Sequence, residues 1–129
     1  MTTDQPERDK PEIDFPDYDP PAELMVDDLI EGEGEEAVAG STVRVHYVGV
    51  AHSTGEEFDA SYNRGAPLEF RLGVGQVIAG WDTGVQGMRV GGRRQLVIPP
   101  HLGYGDRGAG GVIGPGETLI FVCDLVEVR

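Results

Sequence analysis

Short apolar runs separated by glycine dominate the chain from Glu23 onward. Thr42 to Val48 alternates polar and apolar positions, which places Val43, Val45 and Tyr47 on one face of a predicted strand. Leu68 to Leu72 alternates in the same way, with Leu68, Phe70 and Leu72 turned inward. Gln95 to Ile98 reads as a strand that stops at Pro99-Pro100, because proline has no N–H to give to a ladder. In the longest run, Thr118 to Val128, one side carries Leu119, Phe121, Cys123 and Leu125. Ahead of these, Leu24-Met25-Val26 and Leu29-Ile30 lead into a turn at Glu31-Gly32-Glu33-Gly34. Only Ile78, Trp81, Val85 and Met88 recur at helical spacing. Gly80, Gly84 and Gly87 weaken that helix by about 1 kcal/mol each relative to alanine, so it must be held by packing. A single short helix laid across an antiparallel sheet satisfies this pattern, an α+β architecture.

Composition narrows the picture. At 129 residues the chain is expected to form one domain. Its single cysteine, Cys123, excludes an intramolecular disulfide and a cysteine-built zinc site. No apolar run approaches the ~20 residues of a membrane helix. No basic stretch followed by an apolar one opens the sequence, so a cytoplasmic protein without a membrane partner is expected.

The net charge of −13 is unevenly placed. Residues 1–36 hold 14 of the 23 acidic residues and only Arg8 and Lys10 as bases, which leaves the remainder near neutrality. Residues 1–22 also hold five of the nine prolines (Pro6, Pro11, Pro16, Pro20 and Pro21). Such a segment buries too little apolar surface to offset its ordering entropy, so residues 1–22 are expected to be a disordered leader before a body at 23–129. Two readings of it stay open, a solubilising tail and a motif for a specific partner; Ile13 and Phe15 are the residues able to dock on the body. No basic stripe exists to attract nucleic acid.

The usual reactive constellations are missing. His46, His52 and His101 have neither metal-ligand spacing nor cysteine partners, and His46 reads as a surface or hydrogen-bonded histidine. No Gly-x-Ser-x-Gly occurs. Gly73-Val74-Gly75-Gln76-Val77-Ile78 lacks the third glycine of a dinucleotide loop, and the glycine-rich run Gly103 to Gly116 lacks a following Gly-Lys-Ser/Thr. What stands out is aromatic: Tyr47, Phe58, Phe70, Trp81, Tyr104 and Phe121 sit at or near the ends of predicted elements. They are either ordinary core or the wall of a pocket. Trp81 on a glycine-rich helix and Tyr104 in a glycine-rich loop favour a pocket. Asp59 and Arg64, five residues apart, would shape its edge or form a plain surface ion pair.

The ordered set Val45-His46-Tyr47-Val48-Gly49, Glu57-Phe58-Asp59-Ala60-Ser61, Pro67-Leu68-Glu69-Phe70, Val77-Ile78-Ala79-Gly80-Trp81, Gly87-Met88-Arg89-Val90-Gly91, Tyr104-Gly105 and Leu119-Ile120-Phe121 resembles the FKBP family. These are peptidyl-prolyl cis/trans isomerases that bind the macrolides tacrolimus and rapamycin. The resemblance covers about residues 23–129. It implies an antiparallel sheet of five to six strands wrapped around one short helix, acting on Xaa-Pro-containing polypeptides without cofactor or metal; a monomer is the default expectation for a near-neutral body with an anionic tail. By the same resemblance the pocket is walled by Tyr47, Phe58, Phe70 or its neighbour Leu68, Val77, Ile78, Tyr104, Ile113 and Phe121, with Trp81 as its floor. Asp59 pairs with Arg64 at the rim, and the Ile78 amide and Tyr104 hydroxyl donate to ligand carbonyls. Tyr104, Asp59, Phe58, Trp81 and Phe121 are thereby implied in catalysis. Two departures stand out: Leu68 replaces an aromatic ring and Ala109 a histidine, which implies altered sequence preference and weaker macrolide binding with the pocket intact. A module of the same fold that binds proline-containing peptides or macrolides without useful turnover is the alternative.

Overall fold

Six antiparallel strands form one sheet in the computed structural model, which describes residues 10–129. In chain order they are β1 (Met25–Ile30), β2 (Thr42–Ala51), β3 (Glu57–Ala60), β4 (Leu68–Arg71), β5 (Arg93–Ile98) and β6 (Leu119–Val128). The sheet runs β1-β5-β6-β2-β3, and β4 also pairs with β2. The hub is β2. One edge pairs with β6 along nearly its whole length, while the other takes β4 beside Thr42–Val45 and β3 beside Val48–Val50. Tyr47 lies in the gap between those two partners, and its N–H goes to Ser61 Oγ at 2.7 Å instead of to a ladder.

The one α-helix among the described residues, α1 (Ala79–Gly84), packs on the inner face of β5. Its glycines, a burden when read from the sequence, are what allow the approach. A Cβ at Gly80 would come within 2.5 Å of Ile98, and one at Gly84 within 2.7 Å of Leu96. The helix stops at Gly84, earlier than the spacing through Met88 predicts. Val85 and Met88 still reach the core through the turn that follows, both almost wholly buried. β3 was not foreseen, and β2 runs on to Ala51.

The inner core joins Val43, Val45 and Tyr47 to Leu72, Val85, Leu96, Leu119, Phe121, Cys123 and Leu125, so the inward faces predicted for β2 and β6 are the buried ones. Burial pushes the Cys123 thiol well above its usual pKa. A second cluster on the outer face contains Val48, Val50, Ala60, Val97 and Ile120, with Ile13 and Tyr62 packed against it. Of the segment expected to be a disordered leader, residues 1–9 lie outside the described residues. Residues 10–18 run without regular secondary structure over that outer face, with Pro16 buried.

Candidate functional site

Phe58 and Asp59 on β3, Tyr47 on β2 and Phe121 on β6 converge because β2 pairs with both neighbours; Gly49 stands opposite Asp59 on one side and Phe121 on the other. The absent side chain at Gly49 matters, since a Cβ there would lie 2.7 Å from both the Phe58 and the Phe121 ring. With that space free, the two rings meet edge to face at 5.5 Å. Trp81, only 3% exposed, packs against Tyr47 at 4.9 Å and Phe121 at 5.2 Å, both edge to face. These arrangements suit the aromatic quadrupoles. The indole Nε1–H finds no acceptor among the described residues. Leaving it so costs about 1–3 kcal/mol, which the ring packing offsets.

Together these rings bound a hollow of about 400 Å³, lined by Tyr47, Phe58, Asp59, Leu68, Gln76, Val77, Ile78, Trp81, Tyr104 and Phe121. Nine of the twelve residues anticipated for the pocket are therefore brought together. Phe70 is not a lining residue; it lies against Trp81 at 5.6 Å and backs the floor. Ile113 is buried in the core, and its backbone is bridged to Ala109 within the loop after Tyr104. Arg64 stands at the rim through its partners rather than in the wall. Gln76 is an addition. Its Oε1 accepts the Arg71 N–H at 2.8 Å, and its position in the turn before Val77 was the only sequence signal for it.

The rim carries one charged constellation. The Tyr47 hydroxyl donates to Asp59 Oδ2 at 2.5 Å, Arg64 Nη1 donates to Asp59 Oδ1 at 2.8 Å, and Arg64 Nη2 donates to the Tyr47 oxygen at 2.7 Å. Burial works to raise the Asp59 carboxyl, yet the hydrogen bonds from Tyr47 and Arg64 outweigh it and hold the group below the ordinary carboxylate range. Burial, reinforced by the bond to Asp59, pushes the Tyr47 phenol up to about 12. Tyr104 is raised as well, by burial and then by the Asp59 charge. At neutral pH both phenols therefore keep their protons and Asp59 is ionised. The Tyr104 hydroxyl and the Ile78 N–H have no hydrogen-bond partner among the described residues, so both are available donors at the hollow. Asp82 fixes the wall beside them: its two oxygens accept the Gly73 and Gly75 N–H groups, each at 2.8 Å. Among the described residues no three His, Cys, Asp or Glu side chains gather in a way that would hold a metal.

Known proteins supply an independent comparison. Residues 33–126 match the FKBP-type peptidyl-prolyl cis-trans isomerase family. An FK506-binding protein of Streptomyces anulatus is 72% identical over 121 residues, covering 93% of this chain and 98% of that protein. A probable FK506-binding protein of Corynebacterium glutamicum is 50% identical, over 92% of this chain and 98% of its own length. Among solved structures, AtFKBP13 superposes with a TM-score of 0.76 at 45% identity, covering 82% of this chain and 93% of the other.

Proposed function

The chain belongs to the FKBP-type peptidyl-prolyl cis-trans isomerases, and from that membership we propose that the hollow bounded by Tyr47, Phe58, Trp81, Tyr104 and Phe121 is where it turns an Xaa–Pro bond. Rotation about that bond crosses a barrier of ~18–20 kcal/mol set by amide resonance. Unassisted, it takes tens to hundreds of seconds at about 25 °C. No covalent bond is made or broken, so a nucleophile is not required.

The twisted amide has lost resonance and is less dipolar than the planar one. Water therefore stabilises the planar form more, and an apolar hollow that strips water favours the twisted form. Trp81 supports the prolyl ring from below, while Phe58, Tyr47 and Phe121 exclude solvent at its sides. The Ile78 amide and the Tyr104 hydroxyl donate to the carbonyls flanking the bond. Asp59, held by Tyr47 and Arg64, shapes the rim. A gain of 10⁴- to 10⁶-fold needs roughly 5.5–8 kcal/mol. Aromatic burial with two hydrogen bonds is of that order.

The observation that carries this reading is that five aromatic side chains meet around one cavity whose only charged lining group, Asp59, already has both oxygens occupied. Xaa–Pro segments of polypeptides are the substrate class, and FK506-type macrolides compete for the same hollow. Leu68 and Ala109 leave that hollow with less bulk at its edge, which weakens macrolide affinity and shifts preference for the residue before proline.

A proline-isomerisation assay on a short Xaa–Pro peptide, with and without FK506, tests the assignment. Trp81→Ala and Phe58→Ala should raise KM as well as slow turnover, and Tyr104→Phe should slow it only modestly. Complete loss in Tyr104→Phe would point to acid catalysis at that hydroxyl instead. Turnover indifferent to saturating FK506 would place the chemistry elsewhere.

A further inference from the structure

Lys10 Nζ is bonded to Glu57 Oε1 at 2.8 Å and to Asn63 Oδ1 at 3.0 Å, and Asn63 Nδ2 closes the cluster by donating to Glu57 Oε2 at 2.9 Å. Glu57 immediately precedes Phe58 and Asp59, and Asn63 immediately precedes Arg64. Farther along the leader, Ile13 packs on the outer cluster that includes Val48, Val50 and Ala60. The Phe15 ring covers Gly55 in the β2–β3 turn so closely that a Cβ there would sit 2.6 Å from it. The Tyr18 carbonyl accepts from His52 Nε2 at 2.9 Å, and the two rings meet edge to face at 5.1 Å.

All these contacts fall on the β2–β3 hairpin, the turn after it, or the strands directly behind it. We propose that residues 10–18 form a strap that positions Phe58, Asp59 and Arg64 for isomerisation from the face of the sheet opposite the hollow. β3 has need of such support. It is four residues long, pairs only with β2 and ends the sheet. On its inner side it opens onto the hollow, where its hold is the Phe58–Phe121 ring contact and the bonds of Asp59 to Tyr47 and Arg64. Lys10 is the only cation in the described part of an otherwise acidic segment, and it is spent on this anchorage. The Lys10 bond, with that of Asn63, holds the Glu57 carboxyl below its usual range. Phe15 remains 68% exposed, so it acts by placement more than by buried area. Small displacements of grip residues are expensive in a site that works by fit.

The inference rests on the hollow being the site of isomerisation, and the experiment separates the two. In the full-length chain, Lys10→Ala, Phe15→Ala and the double variant are compared with Lys10→Arg and with Asp19→Asn, an exposed leader residue without a hydrogen bond or ion pair among the described residues. kcat and KM are measured separately on an Xaa–Pro peptide, and amide NMR shifts are recorded for Phe58, Asp59 and Arg64 without ligand. The double variant should raise KM about fivefold with kcat within about twofold, and shift those amides. Lys10→Arg should recover most of the loss attributable to Lys10, and Asp19→Asn should match the parent. A double variant with a lowered melting temperature but parental KM and unshifted amides would reduce the leader to a stability element and overturn the strap. Full activity in Phe58→Ala would instead overturn the hollow as the site, and the amide shifts alone would then decide the strap.

Discussion

The same three side-chain types meet twice in this molecule, on opposite faces of the sheet. At the rim of the hollow, Tyr47 and Arg64 both bond Asp59, and the Asp59 and Arg64 side chains are 42% and 52% exposed. On the outer face, Tyr62 donates to Asp124, and Arg93 grips the same carboxylate through Nε at 2.8 Å and Nη2 at 2.9 Å. There Asp124 and Arg93 are only 8% and 17% exposed. Two members of the outer trio are placed by the sheet itself, since Arg93 and Asp124 are direct partners in the β5–β6 register, while Tyr62 comes from the turn Ser61–Arg64. The trio is further enclosed by His46, which stacks on Tyr62 at 4.6 Å and bonds Ser61. The rim trio is placed by one short hairpin and a turn. Chemistry identical on paper thus has two outcomes: water screens the rim pair, so it adds little to stability. The enclosed one is costly to break because each partner would be left without solvent.

The sharpest way to break this contrast is Asp124→Ala. It should cost about 3 kcal/mol of stability, read from the denaturant midpoint, with kcat/KM of the folded protein near parental. The mirror experiment, Asp59→Ala, should leave stability within about 1 kcal/mol of the parent. Its kcat/KM on an Xaa–Pro peptide should nonetheless fall about tenfold. Tyr62→Phe removes one bond of the enclosed trio while Arg93 stays in place. It should lower stability by about 1 kcal/mol and leave kinetics unchanged.

Smallest of all is the response to pH. Because Asp59 is held below the usual carboxylate range in the folded state, its contribution is complete above that range and is lost as pH falls through it. Tyr47, raised to about 12, works in the opposite direction and weakens the fold only as pH climbs beyond the ordinary tyrosine value. kcat/KM should therefore stay flat between about pH 5 and 9, where neither group titrates. A bell-shaped profile in that window would show a proton transfer that the hollow as described does not need.

Alternation exposed β2, β4 and β6 with their inward faces, because a half-buried strand writes its burial in every second residue, and the stop at Pro99-Pro100 marked the end of β5. β3 escaped: Glu57-Phe58-Asp59-Ala60 is too short to establish a period, and its pairing with β2 decides its form. The spacing of Ile78, Trp81, Val85 and Met88 marked the helix but overran it, since a turn after Gly84 presents the same side chains to the core. Within the site, the aromatic walls were legible as types in an ordered pattern. The distinction between Phe70 behind the floor and Leu68 in the wall was not, because both point inward from one strand. Gln76 was overlooked because a polar side chain in a turn looks like any solvated one. Neither tyrosine–aspartate contact is visible in spacing, as 12 residues separate one pair and 62 the other. The β2–β3 pairing brings the first pair together, and the turn that follows β3 delivers Tyr62 to Asp124.

Cys123 faces the interior between β5 and β2 with no exposed surface, and burial keeps its sulfur protonated. The protein is in consequence chemically silent toward maleimides and similar thiol reagents while folded. A cysteine introduced at an exposed position such as Ser53 or Val112 becomes a unique attachment point for a fluorophore or spin label, with no need to delete the native sulfur and open a gap in the core.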